Sequence, residues 1–296
     1  MTTGTLRRAV EADLPQVYDI YYEAEVGDDP HPPPRGDIPS IFRHELQTGE
    51  MAVVEQEGRV VAFASVMPRG AFALLAELFV RKAHQSAGIG RALLQHILPH
   101  DHRTRCTLSS RDSRALALYT RSGMRPRWPN FWLRADTARL RDLPVSSLEV
   151  VEGQGGEPAL LRWDTEVSGR YRPVDHAYWV QECQAVPLWF RWQGKTVGYG
   201  YAQRRSDDSL WHPEAITLGP IGAHTAPEAL ACVCAAVEWA RPHAAVLRIS
   251  VPGLHPSLAP LLEAGFRITY VETFFSSAAH ALADVECYIP SGSTLL

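Results

Sequence analysis

Gln85, Ser86, Ala87, Gly88, Ile89, Gly90 and Arg91 stand where an apolar run gives way to an amphipathic one, and their reading decides the fold. From Ala71 to Val80 the chain is apolar except for Glu77, as a buried strand requires. After the glycines, Ile89, Leu93, Leu94, Ile97 and Leu98 fall on one helical face. Strand, glycine turn and helix therefore follow in order. At such a turn the first helical N–H groups have no partner within the helix and lie at the positive end of its dipole. Glycine lets an anionic group come close to that backbone, so the turn is a candidate phosphate cradle. It is not the dinucleotide fingerprint, with glycine at positions one, three and six. The lysine and hydroxyl residue that close a P-loop are absent as well.

Composition limits what the cradle can serve. The chain has 296 residues, 46% of them hydrophobic, enough for a large core and better suited to two domains than one. A net charge of -4 argues against a nucleic-acid partner, which calls for a basic excess. The five cysteines, Cys106, Cys183, Cys232, Cys234 and Cys287, form no CxxC pair and leave one over, so reduced thiols in a cytoplasmic protein are expected. No apolar core of a signal peptide follows Met1, and no run is long enough to span a membrane. The sequence is silent on oligomeric state.

Three landmarks recur at separations that widen slowly along the chain. Glu57, Gly58, Arg59, Val60, Val61, Ala62 and Phe63 match Gln193, Gly194, Lys195, Thr196, Val197, Gly198 and Tyr199. The strand ending at Val80 and the helix Arg91 to Leu98 match a strand ending at Leu218 and a helix from Ala229 to Ala236. A helix closing in Ser122, Gly123 and Met124 matches one closing in Ala264, Gly265 and Phe266, where glycine suits a left-handed helix stop. Each half thus reads as mixed α/β. The charged segment Ala135 to Val145, closed by Pro144, reads as the connection between them. The expected division is a first domain at 1–135, a linker at 136–147 and a second domain at 148–296. The N-terminal opening, Leu6 to Pro15, supplies a strand and then Asp13 as a helix N-cap.

A second constellation runs Asp112, Ser113, Arg114, Ala115, Leu116, Ala117, Leu118, Tyr119, Thr120, Arg121, Ser122, Gly123 and Met124. It resembles the signature Asn-x-x-Ala-x-x-Leu-Tyr-x-x-x-Gly-Phe of the GCN5-related N-acetyltransferases (GNAT). The loop Gln-x-x-Gly-x-Gly at 85–90 resembles the acyl-CoA pyrophosphate loop of the same family, and the opening at Leu6 to Pro15 is similar to its N-termini. Ala115, Leu118, Tyr119 and Gly123 agree with the signature. Asp112 replaces asparagine and has no amide donor for a cofactor arm, though it suits an N-cap. Met124 replaces phenylalanine and fills similar apolar space.

The resemblance implies two tandem GNAT-like domains, each a mixed, mostly antiparallel twisted sheet flanked by helices. It further implies acetyl-CoA as co-substrate and a small-molecule or peptide amine as acceptor. In the family the tyrosine matched by Tyr119 protonates the departing thiolate, a task a phenol can perform. Backbone N–H groups around Phe79 and Val80 would stabilise the thioester oxygen in the transition state. With Leu78, Asp112 and Ala115, the amides from Gln85 through Ser86, Ala87, Gly88, Ile89 and Gly90 to Arg91 make up the implied cofactor site.

Glu77 is a candidate base from the residues themselves. Strand alternation sets it with Leu75 and Phe79 on one face, opposite Ala76, Leu78 and Val80, and apolar neighbours favour a carboxylate able to take a proton from an ammonium. A solvent-facing or arginine-paired glutamate, or a water acting as base, would serve the pattern equally. Asp28, Asp29, Pro30, His31, Pro32, Pro33, Pro34, Arg35, Gly36 and Asp37 read as a stiff exposed loop whose acids could meet a cationic amine. His96, His100, Asp101 and His102 suggest a metal only superficially, because Pro99 breaks their helix, and no metal is expected.

The second half lacks the cradle. Ala223, Ala226 and Glu228 stand where Gln85, Gly88 and Gly90 stand in the first, so a carboxylate would compete with an anion at that helix start. The tyrosine position is Leu261, and Trp163, Trp179, Trp189, Trp192, Trp211 and Trp239 read as packing residues. One active copy joined to one degenerate copy is therefore expected. A non-catalytic acyl-CoA sensor is the alternative from another class. A protein resembling mycothiol synthase, also tandem, would instead place activity in the second copy.

Overall fold

Two hairpins with the same turn mark the two halves. Glu57 and Gly58 have φ of 51° and 77°, and Gln193 and Gly194 have φ of 49° and 77°. Two successive left-handed residues match the twist of the flanking strands, so each turn joins its pair with only two loop residues. The computed structural model describes residues 4–98, 101–205, 210–278 and 283–296. The chain divides into two compact units, Met1–Cys106 and Thr107–Leu296.

In the first unit β1 (Thr5–Arg8), α1 (Leu14–Val26), α2 (Ser40–Thr48), β2 (Glu50–Gln56), β3 (Arg59–Arg69), β4 (Phe72–Val80), α3 (Ile89–Ile97) and β5 (Thr104–Ser109) follow in order, β5 crossing the boundary. The sheet order is β1-β2-β3-β4-β5, antiparallel except where β4 meets β5. Leu14, Val17, Tyr18 and Ile20 bury one stripe of α1, and Leu93, Leu94 and Ile97 bury one stripe of α3. Asp13 stands at the N-cap position of α1, but its carboxylate turns back to accept from Val10 N at 2.8 Å and to pair with Arg7 at 2.7 Å. The Arg7 hydrogen bonds hold its pKa below the usual carboxylate range.

The second unit continues with α4 (Ser113–Arg121), β6 (Arg125–Asp136), β7 (Glu149–Glu152), α5 (Pro158–Ser168), α6 (Pro173–Gln181), β8 (Val186–Trp192) and β9 (Lys195–Gln203). β10 (Ile216–Ala223), α7 (Ala226–Ala240), β11 (Val246–Pro252), α8 (Leu258–Ala264), β12 (Arg267–Ser276) and β13 (Tyr288–Ile289) complete it. Its sheet order is β12-β6-β11-β10-β9-β8-β7, with β13 added on β10. Apolar around most of its circumference, α7 is buried accordingly, and Cys232 and Cys234 are both enclosed although they face apart. Burial pushes the Cys234 thiol up to about 11.

The compact units part at a different place from the division read in the sequence. β6, expected to close the first domain, is paired along both edges within the second sheet, from Asn130 to Asp136 with β11 and from Arg125 to Arg134 with β12. A strand hydrogen-bonded on both sides belongs with its partners, so α4 and β6 group with the second unit. The expected linker is also partly core: Leu140 and Leu143 are buried among Leu247, Leu261 and Phe266. Trp179 and Trp189 are buried as expected, whereas Trp192 and Trp211 are exposed.

A closed polar network lies at the centre of the second unit. Asp164 of α5 accepts two 2.7 Å bonds from Arg172 at the start of α6, with 3.0 Å to His176 and 2.5 Å from the Tyr199 hydroxyl. Burial alone would raise the Asp164 carboxyl, but the charges and hydrogen bonds of Arg172 and His176 hold it well below the usual range. Every lone pair is used, which is the condition for a buried ion pair to be tolerated.

His255 caps α8. Its Nδ1 accepts from Ser257 N at 3.2 Å and contacts Ser257 Oγ at 2.8 Å. Burial lowers its pKa from 6.5 to about 3. Below pH 6.5 the unfolded chain takes up a proton that the folded chain refuses, so stability present above that pH is lost as pH falls towards about 3. Unfolding free energies from urea titrations across this window should fall more steeply for the native protein than for His255→Asn, by about 1 kcal/mol per pH unit.

Candidate functional site

The edge of β4 away from β3 is paired for only part of its length. Phe72, Ala73 and Leu74 lie parallel to Thr104, Arg105 and Cys106, and the pairing stops there. One residue later the strand is irregular: Ser65 opposes Glu77 and Val66 opposes Leu75, leaving Ala76 as an extra residue. Such a bulge bends its strand and ends regular pairing. It also interrupts the alternation expected from the sequence, and Leu74 and Leu75 are both buried.

The direction of the freed backbone groups follows from the ladder. Arg81 N donates to Val61 O at 2.9 Å, continuing the register Ala62↔Val80. In an antiparallel ladder alternate residues turn their polar groups to the partner, so Arg81, Phe79 and Glu77 face β3 while Val80 and Leu78 face the unpaired edge. Gln85 Nε2 donates to the outward Val80 carbonyl at 2.9 Å. The outward amides are thus those of Leu78 and Val80. Phe79, expected to contribute its own, turns its N–H to β3.

Glu77 and Phe79 share a face. Phe79 packs edge-on to Tyr21 of α1 at 5.5 Å and stacks on Phe63 at 5.6 Å, and Phe42 of α2 meets Phe63 at 6.1 Å. Glu77, 8% exposed, therefore lies on the aromatic face covered by α1 and α2, not in open solvent. Opposite it, Ser65 Oγ is buried without a hydrogen-bond partner among the described residues.

Beyond β4 the chain makes a short turn at Lys82–His84 and reaches the glycine loop. Ser86 has φ of 65° and Gly88 has φ of 85°, and α3 begins at Ile89 with Ala92 N bonded to Gly88 O at 3.0 Å. Left-handed residues alternating along a loop turn successive N–H groups to one side and form an anion-binding concavity. The sequence located the loop but not its detail: the left-handed residues are Ser86 and Gly88, while Gly90 is already helical. Ser86, Ala87, Gly88 and Arg91 are exposed, and Ile89 and Gly90 are half-buried. Arg81 braces the loop, donating to Val60 O at 3.2 Å and pairing with Glu23 of α1.

The acidic loop before α2 is pinned to α1. The Tyr22 hydroxyl donates to Pro33 O at 2.6 Å, the Tyr18 hydroxyl donates to Arg35 O, and Arg35 pairs with Asp19 at 2.7 Å. Asp28 faces Lys82 at 3.4 Å, and Asp29 and Asp37 are exposed.

The remaining predicted residues lie in the second unit. Asp112 accepts from Arg114 N at 2.8 Å as the N-cap of α4 and pairs with the Arg114 guanidinium at 2.6 Å, which lowers its pKa. Its carboxylate is thereby committed to its own helix. Ala115 is half-buried one turn on. Tyr119 is buried, its ring edge-on to Phe275 of β12 at 5.9 Å, and its carbonyl is held by Ser122 and Met124. Pro99 and His100 lie outside the described residues, Asp101 is held by Arg103 at 3.3 Å, and no metal-ligating group of three gathers among the described residues.

The second copy repeats the strand geometry and closes it. Ile216, Thr217 and Leu218 lie parallel to Leu247, Arg248 and Ile249, and the strand is then irregular at Gly219 and Pro220. Past that irregularity β13 takes the free edge: Ile221 pairs with Ile289 and Gly222 with Tyr288, and Ala223 N donates to Cys287 O at 3.1 Å. Gln203 Nε2 ties Gly219 O to Ser291 O at 2.7 and 3.2 Å, and Arg172 bonds the Tyr288 hydroxyl at 2.6 Å and Leu295 O at 2.8 Å. The helix start is shut too. Thr225 Oγ1 accepts from Glu228 N as the N-cap of α7 and donates to the Glu228 carboxylate at 2.8 Å, and Pro227 has no N–H to offer. Leu261, at the tyrosine position, is fully buried. Sequence reading missed β13, since two residues carry no periodicity.

Residues 47–125 match the family model of the acetyltransferase (GNAT) domain. No curated protein matches the sequence. Among solved structures, a candidate acetyltransferase from Pyrococcus horikoshii superposes with a TM-score of 0.74 at 19% identity, covering 100% of this chain and 96% of that one. A tandem GNAT protein from the clavulanic acid biosynthesis pathway gives 0.62 at 17% identity over 94% and 99% of the two chains. A GNAT protein from Sphaerobacter thermophilus gives 0.61 at 14% identity over 96% and 97%. Residues 47–125 thus match a GNAT domain model, and the chain as a whole has the tandem GNAT fold.

Gly88→Ala tests the loop conformation. Nothing lies within 4 Å of an added Cβ, so left-handed strain alone remains. Urea denaturation should show a loss of about 1 kcal/mol.

Proposed function

We propose that the protein is an N-acyltransferase that moves an acetyl group from acetyl-CoA to the amine of a small molecule or peptide, using the first copy. The observation that carries this reading is the unpaired β4 edge, with the amides of Leu78 and Val80 turned outward beside the left-handed loop of Ser86 and Gly88. An extended amide-bearing arm can hydrogen-bond such an edge, and a pyrophosphate suits the loop and the start of α3.

In the reaction the amine lone pair attacks the thioester carbon, the carbonyl electrons move to oxygen, and an outward β4 amide stabilises that oxygen. The C–S bond then breaks. The Tyr119 hydroxyl gives the thiolate its proton, and Glu77, or a water, takes one from the ammonium. Arg91, exposed at the helix start, adds positive charge for the pyrophosphate. The closed edge of β10 favours this copy over the second, against the arrangement that a likeness to mycothiol synthase implies.

Release of free thiol from acetyl-CoA, followed against polyamines, aminoglycosides, amino acids and peptides, should rise with at least one amine. Tyr119→Phe should then lower kcat on the order of 100-fold and leave the KM for acetyl-CoA within a few-fold. Tight CoA binding with no amine stimulating release would instead establish the sensor reading.

A further inference from the structure

Three arginines meet in register across the second sheet. Arg134 of β6 stands opposite Arg248 of β11 on one side and Arg267 of β12 on the other. Directly opposed residues of neighbouring strands project to the same face, where like charges repel. The turn after β6 adds Arg139 and Arg141. These two, with Arg134, Arg267 and the end of α8, line a cavity of about 630 Å³.

Its acidic lining is one residue, Asp136, already held by Arg139 at 3.5 Å. Four arginines thus share the cavity with one carboxylate. Arg134 Nε is buried without a hydrogen-bond partner among the described residues, an expensive state for a guanidinium. Arg248, outside the cavity lining, lies over the Trp132 ring with its Cζ 4.6 Å from the centroid. His212 registers the same field: burial first, then the charge of Arg134, lowers its pKa, although Glu214 lies 3.6 Å away.

We propose that this cavity is a binding site for a small multivalent oxyanion, of the kind carried by phosphate esters and polycarboxylates. Planar guanidinium forks match both groups in paired hydrogen bonds, and a dianion would offset the repulsion along the row. With the chain at net charge -4, a confined site fits better than a nucleic-acid surface. The site lies on β6, β12 and α8 of the second unit and needs neither the loop of Ser86 and Gly88 nor the transferase reading.

Calorimetry on the full chain in chloride buffer, with pyrophosphate in one arm and citrate in another at matched ionic strength, distinguishes the two sources. One saturable site is expected in at least one arm, weakened at least tenfold in Arg134→Gln/Arg267→Gln and at least threefold in Arg141→Gln. Without added anion, Arg134→Gln should melt about 1–3 °C higher than the native protein, as relief of a like-charge contact predicts. Absence of saturable binding in both arms, affinities within twofold of native in both variants, or binding of heparin with none of pyrophosphate or citrate overturns the proposal.

Discussion

A strand edge must either pair its N–H and C=O groups within the protein or present them to solvent and ligands, and the molecule does one at β10 and the other at β4. Both β4 and β10 run parallel to their neighbour for three residues, then meet an irregularity and part from it. At β10 the chain supplies the missing partner itself, through β13 and the tie of Gln203 to Ser291. At β4 the Val80 carbonyl is met by the Gln85 side chain, and the outward amides of Leu78 and Val80 point along the open edge. The difference between the open edge of β4 and the closed edge of β10 is thus whether a second strand continues the ladder.

The two helix starts follow the same division. Gly88, left-handed and open around its Cα, presents the first turn of α3 to solvent. Thr225, Pro227 and Glu228 consume the corresponding donors of α7 locally. A side-chain N-cap and an anion site draw on the same orphan amides, so the two compete. The Asp164–Arg172 pair reinforces the closed state by gripping Tyr288 and Leu295, so closure of the second copy is tied to burial of its central charges.

Much of this was legible in the sequence because it rests on local signals. The hairpin turns at Glu57–Gly58 and Gln193–Gly194 and the helix stops at Gly123 and Gly265 demand a backbone conformation that few residues adopt, and the apolar run interrupted by Glu77 marks a buried strand. The carboxylate of Glu228 at the start of α7 was readable from the sequence alone. What stayed hidden depends on distant partners. The bulge at Ala76 is defined only against Ser65 and Val66, the left-handed Ser86 breaks its residue preference, and β6 belongs to its compact unit through β11 and β12. Asp112 caps α4 as its residue type suggested, and its pairing with Arg114, two residues on, is the part that spacing did not announce.

The central claim is one open slot and one filled slot per chain. Isothermal titration of the intact protein with CoA, read for stoichiometry against an independently measured protein concentration, tests it directly. One site per chain is predicted. Two equivalent sites would show that β13 does not keep the second copy closed, and no site would remove the functional meaning given to the β4 edge.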